Sequence, residues 1–202
     1  MKLAIAIPMK PLAQAKSRLR PALDNRARQS LARSMLDAVM QAAHESGAAT
    51  AMAVISADES LQEKLEHYSF ELVSESAPKG YNQAVRAASA WAQSKKCDAL
   101  LILPSDLPLI TPEDVRSMAR LATLCPRSVV LAPDARFWGT NALLLRPPHI
   151  LAPAFGPDSA RRHRRLAREQ KLSVFLYLSS TLSHDIDYPS DLAFLPHAPK
   201  HR

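Results

Sequence analysis

The chain predicts an α/β fold: a Rossmann-like, three-layer α/β/α sandwich around a mostly parallel sheet. Three observations carry this reading. Short apolar runs alternate with amphipathic stretches over most of the 202 residues. The run DALLILP (98–104) is apolar on both faces, as a central strand covered by helices on each side must be. No internal repeat and no low-complexity linker divides the sequence, so one domain is expected over 1–202, with 196–202 as a frayed tail.

The elements follow in order. Residues 2–8 are apolar and read as a first strand that breaks at Pro8. A basic, proline-framed loop follows. Residues 25–46 place Leu31, Met35, Val39 and Ala42 on one helical face, and Gly47 fits the helix end. AMAVIS (51–56) reads as a strand, 58–67 as a helix, FELVS (70–74) as a strand and 81–94 as an alanine-rich helix. After the strand at 98–104, Thr111-Pro112-Glu113-Asp114 opens a helix with a threonine cap, a proline in the first turn and acids at the positive dipole end. Residues 127–132 and 140–146 read as strands. Gly156-Pro157-Asp158-Ser159 opens a basic helix to about 170, LSVFLYL (172–178) is a strand, and Pro189 with Asp191 opens a last short helix.

Composition narrows the partners. The net charge of +7 favours an anionic ligand, either nucleic acid or a phosphorylated small molecule. Aromatic residues make up only 5%, and no zinc-finger or helix-turn-helix signature accompanies the charge. No apolar run approaches the roughly 20 residues of a membrane span. The start MKLAIAIPMK lacks a signal peptide's cleavage site, so a cytoplasmic protein is expected, with no membrane partner. Cys97 and Cys125 stand far apart and form no CxxC pair, which leaves two free thiols.

In open α/β sheets, ligands sit beyond the carboxyl ends of the strands. Lys10, Lys16, Ser17 and Arg18 follow the first strand, Ser105 and Asp106 the strand at 98–104, Asp134 and Gly139-Thr140-Asn141 the strand at 127–132, and Asp185 and Asp187 the strand at 172–178. One edge then carries cations able to hold a polyphosphate and carboxylates able to hold a divalent ion. Asp185 and Asp187 flank Ile186, so both face one side of an extended segment while Ile186 packs inward. The alternatives are plain. Asp106 also suits a turn, Ser159 a helix cap, and Arg161, Arg162, Arg164, Arg165 and Arg168 a solvated helix face. A nucleic-acid-binding module using the Arg161–Arg168 helix is the rival from another class.

The segments IPMKPLAQAKSRL, GYNQAV, LPSDLPLITPEDV, GTNALLLRPP, FGPDS and DIDYPSDL fall in the order and spacing of the phospholactate guanylyltransferases, from about residue 3 to 195. The sequence resembles that family, which is similar in fold to the nucleotide-diphospho-sugar transferases. The resemblance implies transfer of GMP from GTP to a three-carbon phosphorylated acid with release of pyrophosphate. The acceptor would be 2-phospho-L-lactate, phosphoenolpyruvate or 3-phospho-D-glycerate. It also implies a place in the biosynthesis of the deazaflavin coenzyme F-420, a downstream transferase that takes the unstable product, and a possible homodimer. Carried onto this chain, Lys16, Arg18 and Asp106 would be catalytic. Lys10, Lys16, Arg18, Gly80 and Asn82 would bind the nucleotide, and Thr140, Gly156 and Ser159 the acceptor. Mg²⁺ would lie near Asp106, Asp185 and Asp187. Arg136-Phe137-Trp138 departs from the small or polar residues usual before GTNALLL. Two bulky rings beside Thr140 are expected to reshape the acceptor pocket, which favours 3-phospho-D-glycerate or phosphoenolpyruvate over 2-phospho-L-lactate. The rival within the fold is a molybdopterin or sugar-phosphate nucleotidylyltransferase, whose glycine-rich first loop is absent here.

Overall fold

The computed structural model describes residues 1–74 and 80–195, so the expected tail at 196–202 lies outside the described residues. The elements run β1 (Leu3–Pro8), α1 (Asn25–Glu45), β2 (Ala51–Ser56), α2 (Gln62–His67), β3 (Glu71–Ser74), α3 (Tyr81–Ser94), β4 (Ala99–Ile102), α4 (Pro112–Thr123), β5 (Ser128–Pro133), β6 (Thr140–Arg146), α5 (Ser159–Glu169) and β7 (Ser173–Leu176). Short 3-10 turns at Leu12–Gln14 and Ser17–Leu19 shape the basic loop, another at Glu59–Leu61 precedes α2, and the expected last helix is a 3-10 turn at Pro189–Phe194.

The seven strands form one sheet in the order β3-β2-β1-β4-β6-β5-β7. Strand β6 runs antiparallel to β4 and β5, while β1 pairs in parallel with both β2 and β4, and β7 pairs in parallel with β5. The sheet is therefore mostly parallel. The strand alternation did not reveal that β6 is reversed. Its short link from β5 leaves no room for a crossover, so the two strands form a hairpin.

Period-two alternation assigns the two faces. Leu3, Ile5, Ile7, Leu101 and Leu103 pack with Leu36, Val39 and Met40 of α1, Leu65 of α2, and Val115 and Met118 of α4. On the other face Ala4, Ala6 and Ala53 meet Ala84, Val85 and Ala88 of α3, alongside Ala160 and Ala167 of α5. Alanine against alanine lets α3 approach the sheet closely, which is why that helix is alanine-rich. The caps follow the sequence. Asp24 accepts from the Ala27 amide at the start of α1, and Thr111 with Asp114 forms a capping box with Pro112 at the first helical position of α4.

The chain leaves β1 toward β2 on one side, and β4 opens the half of the sheet on the other. Their carboxyl ends meet at the topological switch point, where an open α/β sheet has its natural crevice.

Candidate active site

Pro8 ends β1, and the loop beyond it turns back over the switch point. The Leu12 amide donates to Asp58 Oδ2 at 2.8 Å, anchoring the loop to the segment after β2. Lys16 takes the left-handed backbone conformation (φ 52°, ψ 39°), which a non-glycine residue adopts at a cost. Its side chain extends across the crevice and its ammonium meets Asp106 Oδ2 at 2.6 Å and Asp187 Oδ1 at 3.3 Å. Arg18, far more exposed, reaches Asp187 Oδ2 at 2.6 Å and lies over the Tyr188 ring.

Asp106 belongs to the loop after β4. Asp185 and Asp187 arrive from the far side of the sheet, because the segment after β7 crosses the strand ends. The Ala135 amide donates to the Ser183 carbonyl and the Ile186 amide to the Asp106 carbonyl, at 3.0 and 3.3 Å. Ile186 is fully buried beside Leu19 and Met35, so the aspartates on either side of it turn the other way, as their alternation predicts. Carboxylate oxygens of Asp106, Asp185 and Asp187 lie within 4.8 Å of one another.

Three carboxylates this close repel each other. Burial, and then the neighbouring charge of Asp106, pushes the Asp185 carboxyl up to about 6. Burial alone would depress the Lys16 ammonium, but Asp106 and Asp187 outweigh it and hold its pKa above the ordinary lysine value. Asp106 Oδ1 is buried and has no hydrogen-bond partner. A crowded, under-neutralised oxygen donor set with an orphan carboxylate oxygen suits a hard divalent cation such as Mg²⁺.

The cluster stands between two cavities. One, of about 390 Å³, is lined on its cationic side by Lys10, Lys16 and Arg18 and also by Tyr81 and Asp106. The other, of about 640 Å³, is bordered by Trp138, His184, Asp185 and Tyr188. Asp187 borders both.

The residues expected at the acceptor form a separate, connected group. Thr140 and Ser159 are buried, while Gly156 is exposed. The Ala154 amide donates to His163 Nε2 at 3.0 Å, so the ring proton sits on Nδ1 and is donated to Thr140 Oγ1, also at 3.0 Å. The Thr140 hydroxyl proton is left free for another acceptor. Burial, then Arg162, lowers the His163 pKa to about 4, which keeps the ring neutral. Gly156 has φ 118°, and a Cβ there would meet Arg162 Nη2 at 3.2 Å, while Arg162 Nε and Nη2 are buried without a partner. Ser159 is the first residue of α5, and its cap position is held by Asp158.

Other expectations resolve differently. Asn82 accepts from the Phe155 amide at 2.8 Å and donates to the Phe155 carbonyl at 3.0 Å, so its amide ties α3 to the segment before Gly156; Gly80 is the cap residue of α3. Asp134 accepts from the amides of Arg136, Trp138 and Gly139, and a Cβ on Gly139 would come within 2.8 Å of its Oδ2. That aspartate builds the hairpin. The rings of Phe137 and Trp138 are 51% and 63% exposed, and Trp138 borders the larger of the two cavities. Arg161 and Arg165 are mostly exposed, the solvated face expected of them. Sequence reasoning missed Tyr81 and His163, and placed Asn141 at the strand ends without giving it a role. Asn141 donates to the Leu182 carbonyl at 2.8 Å and holds the crossing segment near Asp185. The polar neighbours of GTNALLL were the signal that pointed to it.

Sheet order, switch-point crevice and a lysine–carboxylate cluster beside a basic cavity suit a nucleotidyltransferase, the class to which the relatives of this chain belong. The solved structures similar to this chain have the same fold. A nucleotide-diphospho-sugar transferase-type protein from Desulfovibrio desulfuricans superposes with a TM-score of 0.77 at 16% identity, covering 95% of this chain and 85% of that one. A CMP:2-keto-3-deoxy-manno-octonic acid synthetase complexed with CTP gives 0.65 at 14%, covering 96% of each. The chain belongs to the guanylyl transferase CofC-like family, whose profile matches residues 3–197. It is 36% identical to the phosphoenolpyruvate guanylyltransferase of Sphaerobacter thermophilus over 96% of this chain and 92% of that protein. It is 32% identical to the 3-phospho-D-glycerate guanylyltransferase of Colwellia psychrerythraea, over 96% and 91%. Identity to the 2-phospho-L-lactate guanylyltransferase of Methanothermobacter thermautotrophicus is 35%, over 95% and 83%. No helix among the described residues is long and apolar enough to cross a membrane.

Proposed function

We propose that this guanylyltransferase moves GMP from GTP onto phosphoenolpyruvate or 3-phospho-D-glycerate, with 2-phospho-L-lactate a poorer acceptor, and releases pyrophosphate. The observation that carries this reading is the lysine–carboxylate cluster standing between a basic cavity and a second, larger one. A triphosphate suits the first, and the acid the region that runs from the second to the start of α5; Trp138 joins the two, since it borders that cavity and its carbonyl accepts from the Ala160 amide. Relatives that bear the names of all three acceptors support the substrate class.

The nucleophile is an acceptor phosphate oxygen, already ionised at neutral pH, so no general base is required. Its new bond to the α-phosphorus forms as the bond from that phosphorus to the bridging oxygen breaks, and the electron pair leaves with pyrophosphate. Two anions must be held together, so positioning and charge neutralisation supply the catalysis. Lys16 and Arg18 are catalytic in this reading: with Lys10 they face the triphosphate and neutralise the leaving group. Asp106, Asp185 and Asp187 would hold Mg²⁺, which supplies Lewis-acid neutralisation of phosphate oxygens when bound. Thr140, through its free hydroxyl proton, and the start of α5 at Gly156 and Ser159 hold the acceptor's anionic end. Gly80 lies at the guanine side, and Asn82 serves it by fixing the Phe155 segment.

The family's place in coenzyme F-420 biosynthesis, a cytoplasmic location, a downstream transferase that accepts the labile product, and a homodimer complete the proposal. Product analysis after incubation with GTP, Mg²⁺ and each acid tests it. A GMP adduct of phosphoenolpyruvate or 3-phospho-D-glycerate is the expected outcome. Preference for 2-phospho-L-lactate would overturn the acceptor ranking, and turnover with CTP in place of GTP would overturn the donor.

A further inference from the structure

Tyr81 opens α3 directly after Gly80, and its side chain borders the 390 Å³ cavity together with Lys10, Lys16, Arg18 and Asp106. Its hydroxyl is buried and has no hydrogen-bond partner. A buried hydroxyl without a partner is costly and uncommon in a folded protein, so each such group calls for an explanation. Burial, and then the charge of Asp106, holds the phenol well above its ordinary pKa, so it is a donor and not a phenolate.

The ring is not loosely placed. It meets the Phe155 ring edge-on at 4.8 Å, and Phe155 in turn meets His163 at the same distance. The Phe155 backbone is clamped by both ends of the Asn82 amide. Packing therefore fixes the ring while leaving its hydroxyl unsatisfied. Asp106 Oδ1, the other orphan oxygen bordering this cavity, has the complementary need for a cation. A donor and an acceptor that both stay unpaired in one crevice leave room for a group carrying both anionic oxygens and a counter-ion.

We propose that Tyr81 is a substrate-binding residue whose hydroxyl donates a hydrogen bond to a phosphate oxygen of the nucleotide held in this cavity. The inference rests on the reading above, in which the basic cavity takes the triphosphate, and it adds a neutral donor to the cations that line it. A neutral donor contributes direction without adding charge, so it orients the phosphates that Lys16 and Arg18 attract.

Tyr81→Phe keeps the ring and its contact with Phe155 and removes only the hydroxyl. Calorimetric binding of inorganic pyrophosphate and of GTP, each with and without Mg²⁺, is measured beside thermal unfolding of the free protein. Loss of one hydrogen bond to a charged group predicts weakening on the order of 10- to 100-fold for both ligands. The KM for the acid stays within about twofold, and the unfolding temperature is unchanged or raised because an unpaired polar group is gone. Unchanged pyrophosphate and GTP binding overturns the proposal, and so does an effect confined to the acid. A lowered unfolding temperature would make the hydroxyl structural and overturn it as well. Failure of the wild-type protein to form a GMP adduct would instead count against the guanylyltransferase reading, while pyrophosphate binding to the two proteins would still decide the role of Tyr81.

Discussion

Replacing Lys16 with methionine separates the two jobs of that residue. The ammonium is the buried cation among three carboxylates, with its side chain 9% exposed and its contacts at 2.6 and 3.3 Å. Removing one partner of a fully buried pair costs about 3–5 kcal/mol. Here Asp106 and Asp187 are 19% and 35% exposed, so solvent recovers part of that. About 2–3 kcal/mol is the expected loss in metal-free protein. For a domain of this size that lowers the unfolding temperature by roughly 5–10 °C. Methionine inherits the same left-handed backbone, so the strain at position 16 cancels in the comparison. With the ammonium gone, the carboxylates have more to gain from a dication, and Mg²⁺ should raise the unfolding temperature more in Lys16→Met than in the wild type. Turnover should nevertheless fall by orders of magnitude, because the leaving pyrophosphate loses its buried cation. The assay is thermal unfolding with and without Mg²⁺ beside steady-state turnover. A metal-free variant as stable as the wild type, or one that Mg²⁺ stabilises less, would refute the reasoning.

Other expectations follow from the same geometry. Asp106→Asn should leave the unfolding temperature within a few degrees and cut turnover by orders of magnitude; near-normal turnover would remove Asp106 from the chemistry. Because Asp185 is raised to about 6, protons compete with the metal there, and Mg²⁺ affinity measured by calorimetry should fall as pH drops through 6. In metal-free protein the same shift favours the folded state as pH falls from about 6 toward 4, since the folded form then binds the proton first. His163 acts with the opposite sign. Its folded pKa of about 4 lies below the ordinary 6.5, so its share of stability is complete above 6.5 and is lost as pH falls toward 4, by roughly 3 kcal/mol in all. Denaturant titrations of the wild type and of His163→Gln at pH 7 and 4.5 check this, and an equal pH slope in both would contradict it. Ser159→Ala should raise the KM for the acid by about 1–2 kcal/mol equivalent and spare GTP; the reverse pattern would misplace the start of α5.

The amino-acid sequence by itself determined the alternation of strands and helices, the central place of 98–104, the caps at Thr111 and Asp114, and the inward turn of Ile186 between two aspartates. Each of these is a local rule, of periodicity or of an unpaired helix-end amide, and needs only neighbours in the chain. The family segments added which cations and carboxylates belong to one site. Tertiary structure decided what depends on distance. It reversed β6, carried Asp185 and Asp187 across the strand ends to Asp106, and placed Lys16 between them, 90 and 171 positions away along the chain. It also left Phe137 and Trp138 largely exposed, with Trp138 at the edge of the second cavity. Tyr81 and His163 were invisible beforehand for the same reason. A tyrosine at the start of a helix and a histidine inside one look like packing residues. Only burial beside a particular carboxylate, or between a particular hydroxyl and a backbone amide, gives them a chemical role.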